Sequence, residues 1–188
     1  MITEPATLVT DYLLGLVSAW LAFKIVRVSP FWSLGFVALS LAAFLGGTWH
    51  GLVPSDALWT ATMLAAGVAS FGMLAGSVLA ASSGTARVLL LAFAAIKLLA
   101  YVAWTLEHGG FIWVIVDSGV ALAIIAALYL WRFSGWMLAG VAVSALAGAV
   151  QASGFALHRH FNHNDLYHVI QIAALLFFYR GVRPGRKC

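Results

Sequence analysis

The chain has 188 residues, of which 63% are hydrophobic and 9% charged, with a formal net charge of +4. A soluble domain carries about 25% charged and about 45–50% apolar residues, so a water-soluble globule and a disordered chain are both excluded. One membrane crossing takes roughly 20 apolar residues, which leaves room for about seven or eight spans and no separate soluble domain.

In chain order, apolar runs broken by charge, Gly or Pro predict helices over 8–28, 31–50, 57–82, 85–106, 111–132, 135–157 and 163–180. The breaks are local and distinct: Arg27 to Pro30, Gly51 to Asp56 around Pro54, Ser82 to Gly84, His108 to Gly110, Arg132 to Gly135, and the polar stretch His158 to Asp165. The runs are continuous rather than alternating, which argues against a β-barrel. Acidic rather than basic residues precede the first run, and it is too long for a signal-peptide core. The single cysteine is Cys188, so neither a disulfide framework nor a thiolate zinc site is expected. The expected architecture is a single all-α integral membrane domain over 1–188, a seven-transmembrane-helix bundle.

Sorting the charges by span gives the bundle two unlike ends. Lys24, Arg27, Arg87, Arg132, Arg180, Arg183, Arg186 and Lys187 fall at one end. The positive-inside bias assigns that end to the cytoplasm, placing the N-terminus outside and the C-terminus inside. Bases sorted by membrane side rather than along a groove exclude a nucleic-acid partner. All six acids (Glu4, Asp11, Asp56, Glu107, Asp117, Asp165) and all six histidines (His50, His108, His158, His160, His163, His168) map to the opposite half. The short loops suit a prokaryotic inner membrane.

The densest chemical signal is His158-Arg-His-Phe-Asn-His-Asn-Asp-Leu-Tyr-His168, which opens the seventh span. At 100° per residue Asn164, His168 and Gln171 form one stripe, whereas His163 and His168 are about 140° apart and converge only if His163 precedes the helix. Asn162 or Asn164 as an N-cap would allow that. His50 closes the second span at the same depth, behind Ala43, Gly46 and Gly47, whose small size admits a neighbouring helix. Imidazole and carboxylate donors suit Zn²⁺, and three protein ligands with one open position make the catalytic arrangement. His50, His163 and His168 are therefore the candidate zinc ligands. Further polar stripes run Asp56, Thr60, Met63, Gly67, Ser70 in span three, Lys97, Tyr101, Trp104, His108 in span four, and Ser144, Gln151, His158 in span six. Such residues face a bundle interior more often than lipid, and interhelical hydrogen bonding is their plainer reading. Lys97 lies deep enough to need an internal partner, Asp117 or Glu107. With Asp11 and Asp117 the stripes outline a polar funnel.

Seven spans, His50 ending the second and Asn-Asp-Leu-Tyr-His opening the seventh resemble the CREST superfamily of membrane hydrolases, which includes alkaline ceramidases and the progestin and adipoQ receptors. The resemblance implies a zinc ion held by His50 and His168, and hydrolysis of a ceramide-like lipid amide. The family's first HxxxH histidine falls on Asn164, its serine on Gly46, and its third-span aspartate has no counterpart near Ala61. By that resemblance His163 or Asp165 replaces the missing ligand, and Asp56 or Asp165 orients the water. The expected function is a zinc-dependent hydrolase acting on a lipid amide or ester at the outer membrane face. The alternatives are a lipid- or partner-binding protein without turnover, a small-solute or proton-coupled transporter built on Lys97 and Asp117, and a haem protein with His50 and His168 as axial ligands.

Overall fold

The pattern of runs and breaks folds into seven helices in a computed structural model that describes residues 2–183. They are α1 (Pro5–Ile25), α2 (Pro30–Gly51), α3 (Asp56–Ala81), α4 (Gly84–Glu107), α5 (Ile112–Trp131), α6 (Gly135–Ser153) and α7 (His163–Val182). Arg186, Lys187 and Cys188, used above for the basic end and the cysteine argument, lie outside the described residues. Among the described residues there is no strand, only an isolated bridge between His158 and Phe161.

Local chemistry sets the helix ends. Prolines open α1 and α2, where a missing N–H costs nothing. Ser55 caps α3 by accepting from the Leu58 N–H at 3.3 Å. Helix α6 stops at Ser153, four residues short of the predicted end, because Gly154 adopts a left-handed conformation with φ +68°. A glycine reaches that conformation freely, and it is the common way to end a helix. Helices α1 to α6 are each long and apolar enough to cross a membrane, so this is an all-α membrane bundle. Helix α7 is the more polar one, and its polar residues hold the chemistry described below.

Helices α1, α2, α3, α5, α6 and α7 follow one another around a ring that α7 closes against α1, while α4 lies outside it on α3 and hardly touches α5. Small residues set the closest approach: a Cβ at Gly72 would come within 2.6 Å of the Gly35 backbone nitrogen, so α2 and α3 meet backbone to backbone. Toward the end that carries Lys24, Arg27, Arg132 and Arg180 (the arginine end), Leu21, Ile25, Trp32, Phe36, Val78, Met137 and Phe178 fill the ring. The Trp32 and Phe178 rings lie 5.2 Å apart and tie α2 to α7. Large apolar side chains such as Phe23, Ile96, Leu99 and Leu130 point outward, as lipid contact requires. Aromatics girdle both ends, with Arg180 stacked over Trp136 at one and Trp49, Trp59, Trp104 and Trp113 at the other. That is the placement membrane interfaces favour.

Candidate functional site

At the opposite end (the histidine end) α1, α2 and α7 bring a polar cluster together. Asn162 caps α7, its side-chain oxygen accepting from the N–H groups of Asn164 at 2.8 Å and Asp165 at 3.4 Å, while Asp165 Oδ2 accepts from the Asn162 N–H at 2.6 Å. This reciprocal capping box holds the start of α7 so that His168, one turn on, faces α1. His168 Nε2 lies 3.1 Å from Asp11 Oδ1, and its Nδ1 lies 3.0 Å from Thr10 Oγ1. Thr10 also stands 3.5 Å from Asp165 Oδ1. Thr10, Asp11, Asp165 and His168 are all buried. Gly46 and Gly47 of α2 make the room: a Cβ at Gly47 would meet Asp11 Cβ at 2.8 Å, and one at Gly46 would stand 3.8 Å from Asp11 Oδ2. At the rim His50 Nδ1 sits 3.3 Å from Glu4 Oε2, Thr7 donates to the same carboxylate at 3.1 Å, and Thr3 donates to the His50 carbonyl.

The expected zinc set is only partly gathered. His50 and His168 do belong to this end, but His163 is the first residue of α7, five residues and about 140° round the helix from His168, and the two do not converge. Both ring nitrogens of His168 are engaged, whereas a zinc ligand needs one free for the metal. Among the described residues no three His, Cys, Asp or Glu side chains are grouped to hold one ion, so a zinc ion would need His168 to give up one of its two partners first. Asp165 acts as a helix cap. Asp56 is exposed at the start of α3, and no hydrogen bond or ion pair joins it to the cluster.

The expected Asn164–His168–Gln171 stripe divides between two neighbours. Asn164 accepts from Gln151 of α6 at 2.8 Å and Gln171 donates to Ser144 of α6 at 3.4 Å, while His168 turns to α1. His168 is about 60° round the helix from Gln171, enough to reach a different helix. His108 is exposed and stacks on Trp104, with the ring centroids 4.0 Å apart. His158 lies beyond the end of α6, exposed, 5.4 Å from the His160 ring. Lys97 finds Asp117, one of its two expected partners, with Nζ 2.5 Å from Oδ1. It also donates to Ser70 at 3.0 Å, and Tyr101 donates to the Met63 carbonyl at 2.9 Å. Within the stripes of α3, α4 and α6, Ser70, Lys97, Tyr101, Ser144 and Gln151 are thus spent on interhelical hydrogen bonds.

Between α3, α5, α6 and α7 lies a partly open cavity of about 560 Å³. Its wall is mostly small and apolar, including Ala66, Ala69, Val114, Leu122 and Ala149, with Ser70, Ser118, Ser144, Tyr167 and Gln171 as scattered polar groups. A Cβ at Gly119 or Gly148 would meet nothing within 4 Å, so α5 and α6 leave space along these positions. Helix α7 separates the cavity from the polar cluster, with Tyr167 and Gln171 on the cavity side and the His168 ring 5.3 Å from the Tyr167 ring.

Sequence reasoning placed Asp11 in a polar funnel but missed this apolar cavity and the contacts of Thr10 and Asp11 with His168. Glu4, Thr7, Thr10 and Asp11 recur at i, i+3, i+6 and i+7 along an otherwise apolar stretch, and that spacing was the available signal.

The chain belongs to a family of unknown function, DUF6962, whose model matches residues 6–187. No curated protein and no solved structure matches it.

Proposed function

We propose that this is a lipid-binding membrane protein that takes an apolar chain into the cavity between α3, α5, α6 and α7. All seven helices span the bilayer in this reading, with the histidine end outside and the arginine end in the cytoplasm of a prokaryotic inner membrane, as the charge bias favours. The cavity is the observation that supports it. Its volume of about 560 Å³ falls in the range of about 300–1,000 Å³ typical of ligand pockets. Its wall favours hydrocarbon over water, because an ordered water needs two to four polar partners and two of the serines are already bonded to Lys97 and Gln171. Native mass spectrometry of protein released from nanodiscs tests this. A retained lipid is expected on the wild type, and Gly148→Trp, whose ring would enter the open space, should strip it at unchanged helical content. An unliganded wild type, or equal retention by the filled variant, refutes the reading.

A metal-dependent lipid hydrolase is the second reading, favoured by the gathering of His50 and His168 with Glu4, Asp11 and Asp165 at one end. It requires His168 to release Thr10 or Asp11. Stoichiometric zinc in purified protein, together with lipid amide or ester cleavage lost in His168→Ala, would establish it. Protein without metal and without cleavage removes it.

A further inference from the structure

A second, smaller recess of about 180 Å³ lies between α4 and α5, lined by Lys97, Tyr101, Trp104, Trp113 and Asp117, with Val116 and Val120 at its edge. Its polar groups are unevenly satisfied. The Lys97 ammonium has three protons and three acceptors: Ser70 Oγ at 3.0 Å, the Asp117 carbonyl at 3.4 Å and Asp117 Oδ1 at 2.5 Å. The Tyr101 hydroxyl is committed to the Met63 carbonyl. Asp117 Oδ2 is buried without a partner, on a side chain only 5% exposed. A buried carboxylate oxygen left unbonded is costly; the recess has no spare hydroxyl or ammonium, and its remaining donors, the indole N–H groups of Trp104 and Trp113, are not bonded to it.

The missing partner is thus a hydrogen-bond donor, and the charges say of what kind. Lys97 already neutralises Asp117, so an added cation would sit beside an ammonium and an added anion beside a carboxylate, both repelled at short range. A neutral hydroxyl meets neither penalty. The flanking Trp104, Val116 and Val120 are exposed and α4 hardly packs on α5, so this side is reached from within the bilayer plane. Asp117 is the sixth residue of α5, about 8 Å along the helix from its start, a depth suited to the polar end of a lipid whose chains run inward. We propose that this recess binds the free hydroxyl of a neutral glycerolipid, with Asp117 as acceptor and Trp104 and Trp113 as walls.

Photocrosslinking in phosphatidylcholine nanodiscs with a diacylglycerol carrying a diazirine in its acyl chain tests the proposal. Crosslinks should map to α4 and α5, and acetylating the probe's hydroxyl, which removes only the donor, should lower them about tenfold. Val120→Trp, which blocks the edge and leaves the Lys97–Asp117 pair intact, should lower them equally. Gly148→Trp should not, since that position lines the other cavity, so failure here and failure of the cavity reading are separable. Equal labelling by the acetylated probe, undiminished labelling of Val120→Trp, or displacement of the label by phosphatidylethanolamine, whose ammonium would mark a cation site, overturns it.

Discussion

The two halves of this bundle are built from the same six ring helices and solve opposite problems. Toward the arginine end, Trp32, Phe36, Met137 and Phe178 are each no more than 1% exposed and fill the ring with apolar bulk. Toward the histidine end the same helices carry Ala, Gly and Ser inward and leave a cavity of about 560 Å³ that reaches as far as Phe178, with two buried polar clusters beside it, Asp11–His168 within the ring and Lys97–Asp117 between α4 and α5. In lipid, where hydrocarbon surrounds the helices as well as separating them, packing rather than water exclusion supplies association. The filled half can therefore hold the bundle together while the other half gives up contacts to make room for a ligand.

If that division is right, truncation should be far more damaging in one half than in the other. Trp32→Ala is expected to cost about 3–5 kcal/mol, seen as a large fall in thermal midpoint in detergent. Val114→Ala, on the cavity wall, should cost about 1 kcal/mol or less, because the space beside it is already open. Equal losses would break the comparison. Next in size is the ion pair that braces the hollow half. Lys97→Leu leaves Asp117 buried without its partner and should destabilise by about 3–5 kcal/mol, whereas Lys97→Leu with Asp117→Leu should recover most of that loss. A double variant as unstable as the single one would show that the pair does more than neutralise itself.

The helices and the sorting of charge between the ends were legible in the sequence because each depends on local pattern: apolar length, a proline or glycine break, a base beside a break. Lys97 could be matched to Asp117 for a similar reason, since a charge that deep in an apolar run has few places to go. What was not legible depends on where helices lie relative to one another. His168 and Asp11 are separated by nearly the whole chain, and only the closure of α7 on α1 makes them neighbours. The cavity is harder still to foresee, because the residues that line it, such as Ala66, Gly148 and Ala149, look the same in sequence as those that pack closely, such as Gly72 against Gly35. The expected convergence of His163 with His168 is lost to a helix boundary. The cap is Asn162, one of the two candidates, and it makes His163 already helical, about 140° round from His168, so only Asn164 as the cap would have left His163 ahead of the helix.

That cap provides a gentler test of the hollow half. Asn162→Ala removes one side of the capping box and should cost about 1 kcal/mol, with hydrogen exchange accelerating in the first turn of α7 and not in α2 near Trp32. Uniform acceleration would mean that the polar cluster is coupled to the filled half rather than resting on it.

The smallest effect expected tests the one carboxylate outside the polar cluster that the resemblance offered for orienting water. Asp56 is exposed in the first turn of α3, where a carboxylate gains only a few tenths of a kcal/mol or so from the helix dipole. Asp56→Ala should therefore shift stability by no more than about 0.5 kcal/mol and leave lipid retention by mass spectrometry unchanged. An enzyme that used this carboxylate to orient water would lose turnover while keeping both fold and lipid. A drop in lipid cleavage at constant retention would bring Asp56 into the chemistry at the histidine end, whereas an inert substitution leaves the hydrolase reading resting on the Asp11–His168 cluster alone.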